Sequence, residues 1–274
     1  YVELLMIGEG EVAAIAWHPD GDEVAISGAF GVHIYDDDLN LLFKIDPSMP
    51  FVSTISWSPD GSLLAISGSN TQIWNMALHQ NTLTIDVGGG VYWNPANSDQ
   101  IAIASSTDIQ VWDLTTNQPI QILENHVIVS YNALEWRPDG VQIVSSNWDG
   151  EVLIWDVATD QITPLTLAEP IEVDALAWSP NSNFIAMSSV DDIIVWDIGM
   201  SQISVTLSGH TGRVLDLDWS SSGLASTGYD TTIRVWDVSS NQTTTLLSGH
   251  PSYISTIDWN PHPTRLPCTR QDHD

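Results

Sequence analysis

LSGHTGRVLDLDWSSSGLASTGYDTTIRVWD, residues 207–237, carries the pattern on which the fold turns. Its apolar residues come in short runs, VLDLDW, GLAST and TIRVWD, made of side chains suited to a pleated surface. Ser221-Ser222-Gly223 and Gly228-Tyr229-Asp230 punctuate the runs as tight turns. With the run TTTLL that follows, the stretch reads as four strands, near 213–219, 223–227, 232–237 and 243–247. No segment of the chain repeats apolar residues with helical spacing over a helical length, so no helices are expected.

Working outward, both tryptophans of this stretch belong to columns. Trp219 is one of Trp17, Trp57, Trp93, Trp136, Trp178, Trp219 and Trp259, at spacings of 40, 36, 43, 42, 41 and 40 residues. Each leads into a turn: WHPDG, WSPDG, WNPAN, WRPDG, WSPNS, WSSSG and WNPHP. Trp236-Asp237 belongs to a second column, with Tyr35-Asp36, Trp74-Asn75, Trp112-Asp113, Trp155-Asp156 and Trp196-Asp197, 17 to 19 residues after the first. The two columns hold twelve of the thirteen tryptophans, and Trp148 is left over. A regular period of this length marks a repeat architecture. A single four-stranded unit cannot bury its two apolar faces. Radial stacking of such units buries the faces and protects the innermost edges.

The Gly209-His210 opening and the Trp236-Asp237 close make this stretch resemble a full repeat of the WD-repeat (tryptophan–aspartate repeat) β-propeller family, and the resemblance extends from Val2 to Cys268. It implies an all-β, seven-bladed propeller of four-stranded antiparallel sheets, in one domain spanning residues 1–274. It also implies that the N-terminal strand in VELLMIG, beginning at Val2, closes an incomplete last blade. That blade's inner strand is expected at 253–259 and its second at 264–269, while its third strand and Trp-Asp close are missing. A chain that opens on Tyr1 is read as a processed chain or a fragment.

The family resemblance also implies a buried hydrogen-bond network in each blade. His210, Ser226, Asp230 and Trp236 match its pattern, as do His126, Asp149 and Trp155, with Ser145 the nearest hydroxyl; His250 and Asp272 remain of a third set. A Ser–His–Asp set invites a hydrolase reading. Its recurrence from blade to blade, and the lack of a GxSxG elbow, favour a structural role instead. Other motifs fail on their surroundings. Gly8-Glu9-Gly10-Glu11-Val12-Ala13 fits a dinucleotide fingerprint, but strand pattern follows it and two glutamates would face the phosphates. Asp36, Asp38 and Asn40 open like a calcium loop, yet Leu41 and Pro47 stand where Gly and Glu are needed. Cys268 is the only cysteine and the histidines lie in separate blades, so no zinc site and no cofactor are indicated.

In the resembled family, partners dock on one rim, formed by the residue before each turn Asp and those that open the inner strand. Trp148 and Tyr229 hold the first position here. Glu11, Phe51, Val87, Ser130, Glu172, Arg213 and Tyr253 hold the second, and Phe30 fits by a looser alignment. Exposed Trp, Tyr and Arg are the types enriched at interface hot spots, so Phe30, Phe51, Trp148, Arg213, Tyr229 and Tyr253 form the candidate partner-binding rim.

Composition narrows the partner. The chain has 35 acidic and 6 basic residues, for a net charge of −29. With Lys44 and five arginines as its whole cationic complement, it has little to offer a nucleic acid or an anionic lipid surface. No apolar run is long enough to insert into a bilayer. A protein or peptide partner is expected, and a basic one would be drawn in by the field. The reading is a noncatalytic interaction scaffold, one module of a larger bacterial protein. The acid balance leans toward an extracytoplasmic or envelope-facing setting, with the cytoplasm as the alternative. The competing readings are a sensor domain attached to an enzyme domain outside this chain and a propeller enzyme. The latter would hold a hydrolytic metal in its central channel on inward carboxylates such as Glu135, Asp174, Asp216 and Asp218.

Overall fold

The computed structural model describes residues 12–124, 126, 128, 130, 133–167 and 171–261. Among them lie six antiparallel meanders of four strands each and no helix. The first blade is β1 (Val12–Trp17), β2 (Glu23–Gly28), β3 (Gly31–Asp36) and β4 (Leu41–Ile45). The second is β5 (Val52–Trp57), β6 (Leu63–Gly68), β7 (Thr71–Asn75) and β8 (Gln80–Ile85). The third is β9 (Gly90–Trp93), β10 (Gln100–Ala104), β11 (Asp108–Asp113) and β12 (Gln118–Glu124). The fourth is β13 (Leu134–Trp136), β14 (Gln142–Ser146), β15 (Val152–Asp156) and β16 (Gln161–Pro164). The fifth is β17 (Leu176–Trp178), β18 (Phe184–Ser189), β19 (Asp192–Asp197) and β20 (Gln202–Ser208). The sixth is β21 (Val214–Ser220), β22 (Gly223–Gly228), β23 (Ile233–Asp237) and β24 (Gln242–Leu247).

Local sequence explains each hairpin. In the Pro-Asp-Gly turns after Trp57 and Trp136, Gly61 and Gly140 take φ +72° and donate back to the carbonyls of Ser58 and Arg137 at 2.8 Å. The second strands, such as EVAISG and LLAISG, are buried almost throughout, whereas fourth strands such as QNTLTI expose most of their residues. A register shift recurs beside the second column, at Tyr35, Trp74, Trp112, Trp196 and Trp236, where β3, β7, β11, β19 and β23 pair with the strands that follow them. Such bulges bend the strand and strengthen its twist.

The expected seven blades are corrected to six four-stranded blades among the described residues. The seventh residue of the first tryptophan column is Trp259, but residues 253–259 form no strand and hold only a single bridge position at Ile257. Two backbone N–H groups of this segment are taken by carboxylates of β21, Ile257 N by Asp216 at 2.7 Å and Trp259 N by Asp218, but no strand beside it lies among the described residues to complete a sheet. The strands that would flank it, at 2–7 and 264–269, lie outside the described residues.

The chain divides into two compact units. In the first, blades one to three pack in sequence. Val32 and Ile34 meet Val52, Trp57 and Leu64, and Ala65 and Ile73 meet Val91, Trp93 and Ile103. In the second unit, Val144 and Val152 meet Leu176, Trp178 and Met187, and Ile193 and Val195 meet Leu217, Leu224 and Trp236. Ala225, Ile233 and Val235 of the sixth blade then receive Ile254 and Ile257. No helix of the described residues is long and apolar enough to cross a membrane.

Candidate functional site

In the sixth blade the hydrogen-bond network is laid down by strand geometry. Ser226 on β22 and Trp236 on β23 lie near each other across the ladder, and His210 enters from the segment after β20. The Trp236 indole N–H donates to Ser226 Oγ at 2.8 Å, Ser226 lies 2.7 Å from His210 Nε2, and His210 Nδ1 lies 2.8 Å from Asp230 Oδ2. Asp230 also accepts from the Thr211 N–H and the Thr232 hydroxyl. Burial pushes His210 below its usual pKa, against the pull of Asp230. Burial pushes the Asp230 carboxyl up, but its Thr211, Thr232 and His210 partners outweigh that and hold it below the usual range. A neutral imidazole then donates from Nδ1 and accepts at Nε2, so donor meets acceptor along the chain. Ser226 is fully buried, with an indole N–H on its oxygen, which leaves no approach for a substrate carbonyl.

The fourth blade departs from this pattern. Asp149 is exposed, and the Trp155 indole donates to Asp160 Oδ1 at 3.0 Å instead of to a strand hydroxyl. His126 and Ser145 are buried. The cause lies in the turn: Asn147 stands where the sixth blade has Gly228. Its Oδ1 accepts from the N–H groups of Asp149 and Glu151 at 3.1 and 3.0 Å, so the turn is capped without an inward aspartate. In the second and third blades, Trp74 and Trp112 donate to Gln72 and Gln110, both at 3.0 Å. A buried indole N–H needs an acceptor, and each of these blades supplies its own. His250 is buried, and Asp272 lies outside the described residues.

The rim residues differ widely in exposure. Trp148 is 75% exposed at the tip between β14 and β15, and Tyr229 is 53% exposed at the equivalent tip between β22 and β23. Tyr229 meets Tyr253 edge to face, with centroids 5.0 Å apart. Phe51 is exposed, while Phe30 is half-buried against its own blade and lies 4.6 Å from the His33 ring. Arg213 spends its charge locally: Nε and Nη2 hold the two oxygens of Asp174, the latter at 2.8 Å, and Nη1 reaches Glu172 at 2.7 Å. Glu11 lies outside the described residues. The column reading also misses Val190, which is 54% exposed in the turn between β18 and β19 and precedes Asp191. Its sequence signal is a β-branched residue in SSVDDI, where a two-residue turn favours Gly or Asn.

The carboxylates that a channel metal would need are directed elsewhere. Glu135 on β13 accepts from Trp178 N, Asp216 from Ile257 N and Leu217 N, and Asp218 from Trp259 N. Burial pushes all three up, Asp216 to about 8, with Asp218 and Asp216 repelling charge on Glu135. In the first unit, Thr54 Oγ1 and Ser56 Oγ accept from Val91 N and Trp93 N in the same way, at 2.7 and 2.9 Å. These side chains clasp one inner strand to the next. Among the described residues, no group of three or more His, Cys, Asp or Glu is arranged to hold a metal.

Comparison with known proteins gives a consistent outcome. The family described as WD domain, G-beta repeat matches residues 42–75, 117–156 and 201–237. The chain is 32% identical over 150 residues to Cell division cycle 20.1, cofactor of APC complex, of Arabidopsis thaliana, covering 52% of this chain and 31% of that protein. It is 27% identical over 146 residues to F-box-like/WD repeat-containing protein TBL1X of Mus musculus, covering 47% and 27%. It is 27% identical over 140 residues to GATOR2 complex protein WDR59 of Gallus gallus, covering 48% and 14%. Each match thus spans less than a third of the relative's own length.

Proposed function

Because the chain is a WD-repeat protein of the β-propeller fold, we propose that it works as a noncatalytic platform that binds a protein or peptide at the rim described above. The observation that carries the reading is Trp148, a large aromatic 75% exposed on a turn fixed by Asn147 and by Gly150 at φ +76°. Such a side chain loses little entropy when a partner covers it, which suits a hot spot. Two of the relatives are named as a complex cofactor and a complex protein, and the reading extends that kind of role to this chain. Scarce cations favour a partner of basic character over nucleic acid or an anionic membrane. Committing Glu135, Asp174, Asp216 and Asp218 to N–H groups and to Arg213 argues against the hydrolytic alternative.

The test is partner capture on immobilised protein, with wild type compared with Trp148→Ala and Tyr229→Ala. Trp148→Ala should weaken a captured partner by at least about 2 kcal/mol and Tyr229→Ala by less, with melting temperatures nearly unchanged. Full binding by both variants would move the site off this rim.

A further inference from the structure

Val190 carries two local costs at once. Its φ is 58°, a region that β-branched residues avoid, and its side chain is 54% exposed. The two-residue turn calls for a positive φ at this position, which Gly or Asn would meet at lower cost, and it calls for no apolar side chain. The turn is locked from outside: the Val190 carbonyl accepts from Val214 N at 2.7 Å, so the conformation is held whatever the side chain. What remains to be explained is the choice of an apolar side chain. Trp148 and Tyr229 stand at the same turn in the blades on either side, so three consecutive turn tips of the second unit each expose a large apolar residue. At each tip the next residue is an aspartate: Asp149, Asp191 and Asp230. Asp230 is held by His210, while Asp149 and Asp191 are exposed. The nearby cation, Arg213, is already paired with two carboxylates.

We infer that Trp148, Val190 and Tyr229 form one docking surface for an extended peptide segment in which apolar residues are spaced by lysine or arginine. The apolar tips anchor the segment, and the exposed Asp149 and Asp191 beside two of them meet its cations. This rests on the platform reading and adds the chemistry of the partner.

Fluorescence polarisation of short synthetic peptides tests it, with one peptide alternating Arg and Leu, a second Glu and Leu, and a third Arg and Ser. The Arg/Leu peptide should bind saturably and far better than the other two. Trp148→Ala and Val190→Asn should each weaken it about tenfold. Val190→Asn should also raise the melting temperature, because Asn accepts left-handed backbone at lower cost. Equal binding of the Arg/Ser peptide, undiminished binding by both variants, or no saturable binding overturns the inference, as does a lowered melting temperature of Val190→Asn. Trp148-dependent binding of the Glu/Leu peptide overturns the cation preference and leaves the platform reading standing.

Discussion

Trp236 is buried at the end of a relay in which every polar atom has a partner. Removing the indole leaves a large cavity and an unmatched Ser226 oxygen, so Trp236→Ala should lower stability by roughly 3–5 kcal/mol in urea unfolding. A loss under about 1 kcal/mol would place the column outside the core. Asp216 makes a second prediction, through pH. Burial raises its folded pKa from 3.8 to about 8, so its contribution is fully present below the unfolded value and is lost as pH rises through about 8. Glu135 and Asp218 share that sign. Asp113 and Asp237, lowered by hydroxyl hydrogen bonds, lose their contribution as pH falls through the acid range, and His210, lowered by burial, loses its own below its usual 6.5. Asp216→Asn keeps an acceptor for Ile257 N and cannot ionise. The fall in its urea midpoint between about pH 5 and pH 8.5 should therefore be smaller than that of the wild type, and an unchanged fall would remove Asp216 as a source. The family resemblance is what picks out His210, Ser226, Asp230 and Trp236 in the sequence. It does not foresee the Trp155–Asp160 bond, which depends on which way an indole turns once Asn147 has capped the neighbouring hairpin.

At the scale of the element, the strands were legible because each tryptophan column fixes the register of its blade. The four runs around Trp219 and β21 to β24 agree to within a residue or two. The backbone cost of individual turns was not legible. Blades four and six use the same five-residue connection, yet Gly150 at φ +76° in one corresponds to Thr231 at φ +63° in the other. A β-branched residue there costs more than the extra unfolded-state freedom of glycine, so Thr231→Gly should stabilise by about 1 kcal/mol. A calorimetric scan showing a lower melting temperature would mean that the Thr231 side chain makes up the difference through contacts of its own.

At the scale of the whole molecule, a net charge of −29 opposes compactness. Urea midpoints should rise between about 20 mM and about 500 mM salt as screening weakens that repulsion, and an unchanged or lower midpoint would show that the acids are dispersed enough not to matter. Seven repeats of the first tryptophan column are legible, but the number of sheets does not follow from them. The segment ending on Trp259 has the composition of an inner strand and is held by Asp216 and Asp218 much as β9 and β17 are held by their neighbours, yet among the described residues no second strand pairs with it. Which acids turn inward cannot be read from a sequence in which aspartates occupy both turns and inner strands.

The clasps have a consequence for how such chains grow. Glu135, Asp216, Asp218, Thr54 and Ser56 each supply the acceptor from their own repeat and take from the next only a main-chain N–H. Every residue but proline offers that group, so the receiving side carries no sequence requirement. Tandem copying of the DNA for a clasping repeat therefore yields a blade already fitted on one flank, and recombination between repeats keeps the join intact. A lineage built this way can vary its turn tips freely while inner strands hold their place.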